Sequence, residues 1–176
     1  MVEKETWEFI NSFAPWFSAF GTLAAVILAI YLARRDKNIR LEISAGHRLM
    51  LSLGNPDYRP EYLYINIVNI GHRETQIVNI GWKIGFFKKE HSIQTLIRDD
   101  QISSPMPVRL KDGEEAKYFI PLNDQTKWIE NIIQKSLQPN PKRRINFMKL
   151  QVFTSVGKTF NTRIEKGLKE RILKDV

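Results

Sequence analysis

The sequence predicts a mainly β protein in which a single N-terminal transmembrane α-helix precedes an immunoglobulin-like β-sandwich with one inserted helix. Three observations predict this architecture. Residues 9–33 contain no charged side chain. The chain after residue 40 consists of short segments with alternating apolar side chains, and turn residues separate these segments. About seven strands with one helix among them are typical of a sandwich, and a small β-barrel is the alternative.

The composition limits the chemistry that this chain can perform. It has 176 residues, 43% of them hydrophobic and 26% charged, and a formal net charge of +8. This length suits one small domain plus an anchor. The chain has no cysteine, which excludes a disulfide framework, a zinc-thiolate or iron-sulfur site and a cysteine nucleophile.

The uncharged run from Phe9 to Ala33 has the length and composition of a membrane span. As a helix, its 25 residues would measure about 37 Å, against a hydrocarbon core of roughly 30 Å. Trp7 and Tyr31 bracket the run, where aromatic side chains settle at the two headgroup layers. Pro15 falls in the first turns, where it either starts the regular helix or kinks it.

Charges on either side of the run favour an uncleaved span over the alternatives, a cleaved signal peptide or a buried soluble helix. Residues 1–8 carry three glutamates and one lysine, whereas a signal peptide has a basic leading region. Behind the run stands a membrane-surface basic collar of Arg34, Arg35, Lys37 and Arg40. Because basic flanks stay in the cytoplasm, we expect an inner-membrane protein whose C-terminal domain is cytoplasmic and close to anionic headgroups.

Small side chains recur along one face of the predicted span. Such residues let two helix backbones approach closely in lipid. We therefore expect self-association into a homo-oligomer through a transmembrane association face of Ser18, Gly21, Thr22, Ala25, Ala29 and Ala33. The alternative is that alanine and glycine are simply common in membrane helices.

Strands are predicted from the alternation of side chains and from the turn residues between the segments. The clearest strand covers 61–70, where both faces are apolar, as in a central strand. The segment 76–87 alternates apolar with polar or small side chains, as in a half-buried strand. Its apolar face is predicted to contain Val78, Ile80, Trp82, Ile84 and Phe86. Further strands are predicted over 41–45, 49–53, 92–97, 108–110 and 116–122, with turns at 54–57, 71–74 and 112–113.

The last third of the chain is predicted to contain one helix and one hairpin. The helix begins at Asn123 or Asp124, either of which can cap it, and ends near Gln138 before two prolines. Strands 145–156 and 158–164 form the hairpin around Gly157. The predicted organisation is a short segment 1–8, the span 9–33, the collar 34–40, a β-sandwich 41–165 and an amphipathic tail 166–176.

No local motif predicts an enzyme, a metal site or a cofactor. Gly157-Lys158-Thr159 resembles the end of a phosphate-binding loop, but Val152 stands where that loop needs its first glycine, so a hairpin turn fits better. The three histidines lack zinc-type spacing. We therefore expect no catalytic residue, no metal ligand and no cofactor.

Basic residues are the remaining binding candidates. The run Lys142, Arg143 and Arg144 and the turn residues His72 and Arg73 are candidates for binding an anion or a partner. No aromatic residue is interleaved with the basic run, which disfavours nucleic acid as the partner. A solvated surface without a ligand is the alternative.

The segment Val68-Asn69-Ile70-Gly71-His72-Arg73 resembles segments of small bacterial and prophage proteins that combine one N-terminal span with a β-sandwich. This resemblance concerns architecture and implies no activity. We expect a non-catalytic interaction or sensing module with an unidentified protein partner. The alternative hypothesis is a membrane-disrupting or pore-forming effector, for example in phage defence or superinfection exclusion.

Self-association through the small-residue face predicts the behaviour of one double variant. Ala25→Leu combined with Ala29→Leu should leave insertion intact, because leucine favours the bilayer. It should reduce crosslinked oligomers several-fold, since the larger side chains prevent close approach of the backbones. Crosslinking of the full-length chain in native membranes measures this. An unchanged oligomer population would show that any assembly uses another surface.

Overall fold

The structure is a computed structural model that describes residues 2–51, 59–85, 89–95 and 102–176. The chain divides into two compact units, one ending at Asn38 and one running from Ile39 to Val176. The first unit is a single helix, α1 (Val2–Asp36). The second unit is mainly β. The predicted turn residues Gly54, Asn55, Pro56 and Asp57, and the predicted core residue Phe86, lie outside the described residues.

The described part of the second unit contains eight strands and three short helices, which we number in chain order. The strands are β1 (Leu41–Leu49), β2 (Glu61–Asn69), β3 (Thr75–Ile84), β4 (Glu90–Ile93), β5 (Val108–Leu110), β6 (Glu115–Pro121), β7 (Lys149–Thr154) and β8 (Thr159–Arg163). The helices are α2 (Trp128–Ile132), α3 (Pro141–Arg144) and α4 (Lys166–Leu173). A π-helical turn (Ile133–Leu137) follows α2, and a 3₁₀ turn (Ile145–Phe147) follows α3.

The strands form two antiparallel sheets. One sheet has three strands in the order β1-β2-β6, and the other has the order β4-β3-β7-β8 with β5 also paired to β3. The prediction that 61–70 is a central strand is confirmed, because β2 pairs with β1 on one side and β6 on the other. Buried side chains from both sheets belong to a single hydrophobic core.

Among the described residues of the predicted core face of β3, one does not face the core. Ile80, Trp82 and Ile84 are buried as predicted, but Val78 is 40% exposed and Ile77 is fully buried. The pairing of β3 with β7 shifts register between Ile77 and Asn79, as one extra residue in a β-bulge requires. The prediction that Val78 faces the core is therefore wrong, because the bulge interrupts the period of two.

Two tryptophans join β3 to α2. The rings of Trp82 and Trp128 meet edge to face, with centroids 5.5 Å apart. Both indole Nε1 groups donate to the same atom, Oε1 of Gln94, at 2.8 and 2.9 Å. A buried indole needs a hydrogen-bond acceptor, so one amide just after β4 satisfies both rings and sets the position of α2.

The helix predicted over 123–138 begins later and changes type. The Thr126 backbone N–H donates to Oδ1 of Asn123 at 3.0 Å, which closes a turn. Lys127 has a left-handed φ of 47°, so regular helix starts only at Trp128. The π-helical turn that follows brings Ile133 and Leu137 into the core.

The strand predicted over 145–156 is shorter than expected. Pro141 occupies the first turn of α3, a position that favours helix because proline has no N–H to lose there. The chain reaches β7 only at Lys149, after Ile145 and Met148 have been buried in the core. At the other end of β7, Gly157 has a φ of 78°, which suits the turn predicted there.

The C-terminal segment belongs to the same compact unit as the sheets. Leu168 and Ile172 of α4 are fully buried in the core. At the junction of β8 and α4, the carboxylate of Glu165 accepts two hydrogen bonds from Arg48, at 2.7 and 3.0 Å. This pair lies directly over Gly46, where a side chain would collide with it. The glycine therefore allows the junction to approach β1 closely.

Tyr118 provides a pH-dependent test of the core. Its side chain is fully buried, its hydroxyl has no hydrogen-bond partner within the described part of the chain, and burial raises its pKa to about 12. In the unfolded chain a tyrosine has a pKa of about 10. Between these two values the unfolded state binds fewer protons than the folded state, so the free energy of unfolding falls as the pH rises.

We therefore expect Tyr118→Phe to change stability little at pH 8, since the hydroxyl makes no bond, and to reduce the loss of stability above pH 10. The difference between the two proteins should approach at most about 1.4 kcal/mol per pH unit in that range. Urea unfolding of the full chain in mild detergent, followed by tryptophan fluorescence at pH 8 and pH 11, measures it. Equal alkaline losses in both proteins would contradict the burial of this hydroxyl.

Candidate functional site

Helix α1 exposes large apolar side chains along its length. Between Trp7 and Arg34 it is long and apolar enough to cross a membrane. Trp16 is 66% exposed, Phe17 77% and Ile27 60%. Contiguous apolar surface of this size is unfavourable in water at about 25 cal/mol per Å².

Two hydroxyl groups within α1 are satisfied by the helix itself. The Ser12 hydroxyl donates to the carbonyl of Phe9 at 2.6 Å, and the Thr22 hydroxyl donates to the carbonyl of Ser18 at 2.9 Å. Such bonds lower the cost of placing hydroxyls in hydrocarbon. Pro15 lies inside the helix without ending it.

The residues of the predicted association face lie on α1, and those of the basic collar lie at its end and just beyond it. Ser18, Gly21, Thr22, Ala25, Ala29 and Ala33 are all exposed along α1. Arg34 is exposed in the last turns of α1, and the side chain of Arg35 lies outside the described part of the structure. Lys37 and Arg40 are exposed beyond the helix, and the carbonyl of Arg40 accepts a hydrogen bond from the Ile70 N–H at 3.0 Å. Arg40 thus belongs to the edge of the β-rich unit.

The turn that contains His72 and Arg73 is held by a buried amide. Asn69 is fully buried, and its Nδ2 donates to the carbonyls of Arg73 and Leu110 at 2.9 and 3.0 Å. Its Oδ1 accepts from the Gly71 N–H at 3.1 Å. This one side chain ties the turn after β2 to the end of β5.

His72 also links the turn after β2 to the turn after β5, through an exposed contact on the surface. Its Nδ1 lies 2.7 Å from Oδ2 of Asp112, and its side chain is 74% exposed. Asp112 begins the turn between β5 and β6, where Gly113 has a φ of 77° and donates to the Asn69 carbonyl. The turn that was predicted to bind an anion or a partner is therefore tied to the turn between β5 and β6.

The basic run Lys142, Arg143 and Arg144 forms α3. Arg144 is partly buried, donates from Nη1 to the Gln138 carbonyl at 2.8 Å, and pairs through Nη2 with Glu90 at 2.9 Å. Lys142 and Arg143 are exposed.

The Arg144–Glu90 pair places α3 beside the end of β3, because Glu90 is in register with Ile84. The turn with His72 lies at the opposite end of β3, about 30 Å away, so these two candidates do not converge.

A row of basic side chains crosses the outer face of the five-stranded sheet. Lys83 is in register with His91 on β4 and with Lys149 on β7, and Lys149 is in register with Arg163 on β8. We call His91, Lys83, Lys149 and Arg163 the cationic row. Directly opposed residues in antiparallel strands have Cβ atoms about 5 Å apart, so four basic groups stand side by side at the end of the sheet near α3.

Beside the cationic row lies a chain of amides. Nδ1 of His91 is 2.7 Å from Oε1 of Gln151, and Nε2 of Gln151 donates to Oδ1 of Asn161 at 2.8 Å. Because an amide oxygen can only accept, Nδ1 of His91 is the donor in the first bond. Gln151 is only 4% exposed. This network orients the His91 ring on the sheet surface.

The three-stranded sheet has a different outer face. There Arg48 is paired with Glu165 and Lys117 with Glu115. Tyr64 packs against Phe119 at 4.9 Å between ring centroids. The cations of this face are therefore neutralised within the protein, which distinguishes it from the cationic row.

The cationic row was missed by sequence reasoning, although one signal for it was available. The alternation along β3 already assigned Lys83 to the face opposite Trp82. Lys149 and Arg163 lie in segments that were predicted as strands. Bringing the three together required the strand order β3-β7-β8, which joins strands far apart in the chain.

A cleft of about 360 Å³ lies between α2 and the end of α4. Its lining includes Arg171, which donates from Nε to Glu61 and from Nη1 to Asp175. The hydrogen bond with Glu61 raises the pKa of Arg171. This guanidinium holds α4 against β2. Over the described ranges, no three His, Asp or Glu side chains are placed to bind a metal ion.

No protein-family model matches the sequence, and no curated protein matches it. Among solved structures, the chain is similar to a Bordetella pertussis protein provisionally named ApaA, with 17% identity and a TM-score of 0.33, over 72% of this chain and 89% of that one. It is also similar to the X-ray structure of structural genomics target SoR45, with 12% identity and a TM-score of 0.30, over 74% and 84% of the two chains. Similarities at this level assign no activity to the chain.

The role of Asn69 as a structural link predicts a large effect of its removal. Asn69→Ala leaves two carbonyls and one N–H without their partner inside the protein, so the free energy of unfolding should fall by roughly 2 to 4 kcal/mol. Urea unfolding of the full chain in mild detergent measures the change. His72→Ala, which removes an exposed contact of the same junction, is the matched control and should leave stability nearly unchanged. Similar losses in both variants would contradict the assignment of the link to the buried amide.

Proposed function

We propose that this chain is a single-pass inner-membrane protein whose α1 is the membrane span and whose C-terminal domain lies in the cytoplasm. The observation that carries the proposal is the uncharged, exposed apolar surface of α1 between Trp7 and Arg34. Insertion of such a helix into hydrocarbon is favourable. Arg34, Lys37 and Arg40 behind the span, against the acidic residues before it, support the orientation.

The proposed domain is an immunoglobulin-like β-sandwich that acts as a non-catalytic interaction or sensing module. Two antiparallel sheets around one core are compatible with this architecture. Within its described residues, no three His, Asp or Glu side chains are placed to hold a metal ion. Lys83, Lys149 and Arg163, which form no ion pair with a described residue, stand in a row on an open face, and this arrangement suits binding of an extended surface.

An anchor is favoured over a pore. A water-filled pathway needs polar groups that remain available to water or ions. In α1 the hydroxyls of Ser12 and Thr22 are already bonded to backbone carbonyls, and the remaining surface between residues 12 and 33 is mostly aliphatic or aromatic. The proposed self-association through the small-residue face is compatible with a clustered anchor.

The test of the anchor is retention of the full-length chain in membranes after an alkaline carbonate wash. Leu23→Lys combined with Ile27→Lys should abolish retention, because two central lysines shift insertion by roughly 7 kcal/mol. Leu23→Ile combined with Ile27→Leu is the matched control and should be retained like the wild type. Retention of the dilysine variant would contradict a membrane-spanning α1.

The orientation is tested in the same chain with a reporter fused after Val176. It should report a cytoplasmic location, and replacing Arg34, Arg35, Lys37 and Arg40 together by glutamine should weaken that preference. A periplasmic reporter on the wild-type chain would contradict the proposed orientation while leaving the anchor intact.

A further inference from the structure

The outer face of the five-stranded sheet carries positive charge that no carboxylate on its described strands compensates. Among its described strands, the outward side chains are those of Gln76, Val78, Asn79 and Lys83 on β3, His91 and Ile93 on β4, Arg109 on β5, Lys149, Gln151 and Phe153 on β7, and Thr159, Asn161 and Arg163 on β8. This set contains no carboxylate. Lys83, Lys149 and Arg163 form no ion pair with any described residue.

One described carboxylate at this end of the sheet pairs with a cation of α3. Glu90 precedes His91 on β4, but its side chain pairs with Arg144 of α3. That pair also places α3, with the exposed Lys142 and Arg143, at the same end of the sheet as the cationic row. Glu90 is in register with the buried Ile84 and therefore lies on the opposite face of the sheet from the row. The arrangement adds basic groups at the same end of the sheet as the row.

Like charges directly opposite one another destabilise a sheet. A folded domain that keeps three permanent cations in register across three adjacent strands, beside an oriented histidine, carries an electrostatic cost that a bound anion would remove. The row lies on an open sheet face rather than in a cavity. This geometry suits several anionic groups arranged in a plane.

We propose that the cationic row is a docking surface for the anionic phospholipid headgroups of the leaflet in which this chain is anchored. The inference rests on the proposed membrane anchor, which tethers the domain to that leaflet. The row lies at the end of β3 opposite to the His72 turn, so docking requires the outer face of the sheet to lie along the bilayer. Each lysine or arginine held near an anionic bilayer strengthens association about fivefold. Charge complementarity thus identifies the occupant as a phosphate-bearing lipid surface.

Nucleic acid carries the same phosphate chemistry but fits this face less well. Binding of single strands relies on aromatic side chains on which bases stack. Phe153 is the one aromatic residue described on the outward side of these strands, and it is half-buried. A planar bilayer surface needs no stacking platform.

The test uses the full-length chain reconstituted in vesicles of phosphatidylcholine alone or with phosphatidylglycerol added. Acylation of lysines by an amine-reactive reagent, read by mass spectrometry, reports their accessibility. Lys83 and Lys149 should react about fivefold more slowly in the anionic vesicles, and salt should reverse the protection. Lys135 and Lys174, which are exposed on helical elements outside the sheet, serve as internal controls and should react equally in both vesicles.

A second readout uses the absence of cysteine from the chain. A single dye attached through Thr159→Cys, on the outer face of β8, should show more energy transfer to headgroup-labelled lipid in anionic vesicles. Lys83→Gln, Lys149→Gln and Arg163→Gln together should abolish that increase. The matched control, Lys135→Gln, Lys169→Gln and Lys174→Gln together, removes the same charge elsewhere and should retain it.

The outcomes separate this inference from the proposed anchor. If carbonate extracts the wild-type chain from the vesicles, the anchor fails and the docking surface fails with it. If the chain is retained but Lys83 and Lys149 react equally in both vesicles, only the docking surface is overturned. Equal energy transfer in the two triple variants would also overturn it. Binding of a labelled oligonucleotide to the row in neutral vesicles, without protection by anionic lipid, would assign the row to nucleic acid instead.

Discussion

The alternation of side chains along β3 is the constraint on which the β-rich unit depends. β3 pairs with β4, β5 and β7. The face on which each β3 residue lies therefore also determines the face on which its paired residues in those three strands lie. Trp82 faces the core and meets Trp128 through their shared acceptor, Gln94. Lys83, one residue later, faces outward into the cationic row. The bulge at Val78 shifts the alternation of side chains only near the start of β3. It does not change the faces on which Trp82 and Lys83 lie.

Charge is distributed unequally between the two sheets. Cations on the three-stranded sheet are paired with Glu115 and Glu165, whereas those on the five-stranded sheet have no such partners among the described residues. Paired surface ions contribute little to stability, but unpaired like charges in register oppose it. A bound partner of opposite sign would relieve this repulsion, and this physical balance underlies the proposed contact with anionic lipid.

The two units meet different physical requirements. α1 is one continuous helix that presents apolar side chains outward, as the proposed membrane span requires. The β-rich unit buries its apolar side chains and joins its turns through polar groups such as Asn69, whose five hydrogen bonds would each be costly to leave unmade in a buried position. Charged groups remain accessible on the outer faces and ends of the sheets, where the proposed binding takes place.

The sequence by itself determined the apolar helix, the mainly β character of the rest, the central position of β2 and the burial of Trp82. Each of these follows from local periodicity and composition. Tertiary structure alone decided the bulge at Val78, the late start of α2 at Trp128, the structural role of the turn at His72 and the assembly of the cationic row. Those features depend on which strands pair and in what register. Strand pairing depends on contacts between residues that are far apart in the chain. Lys83, Lys149 and Arg163 therefore become neighbours only when β3, β7 and β8 pair in this register.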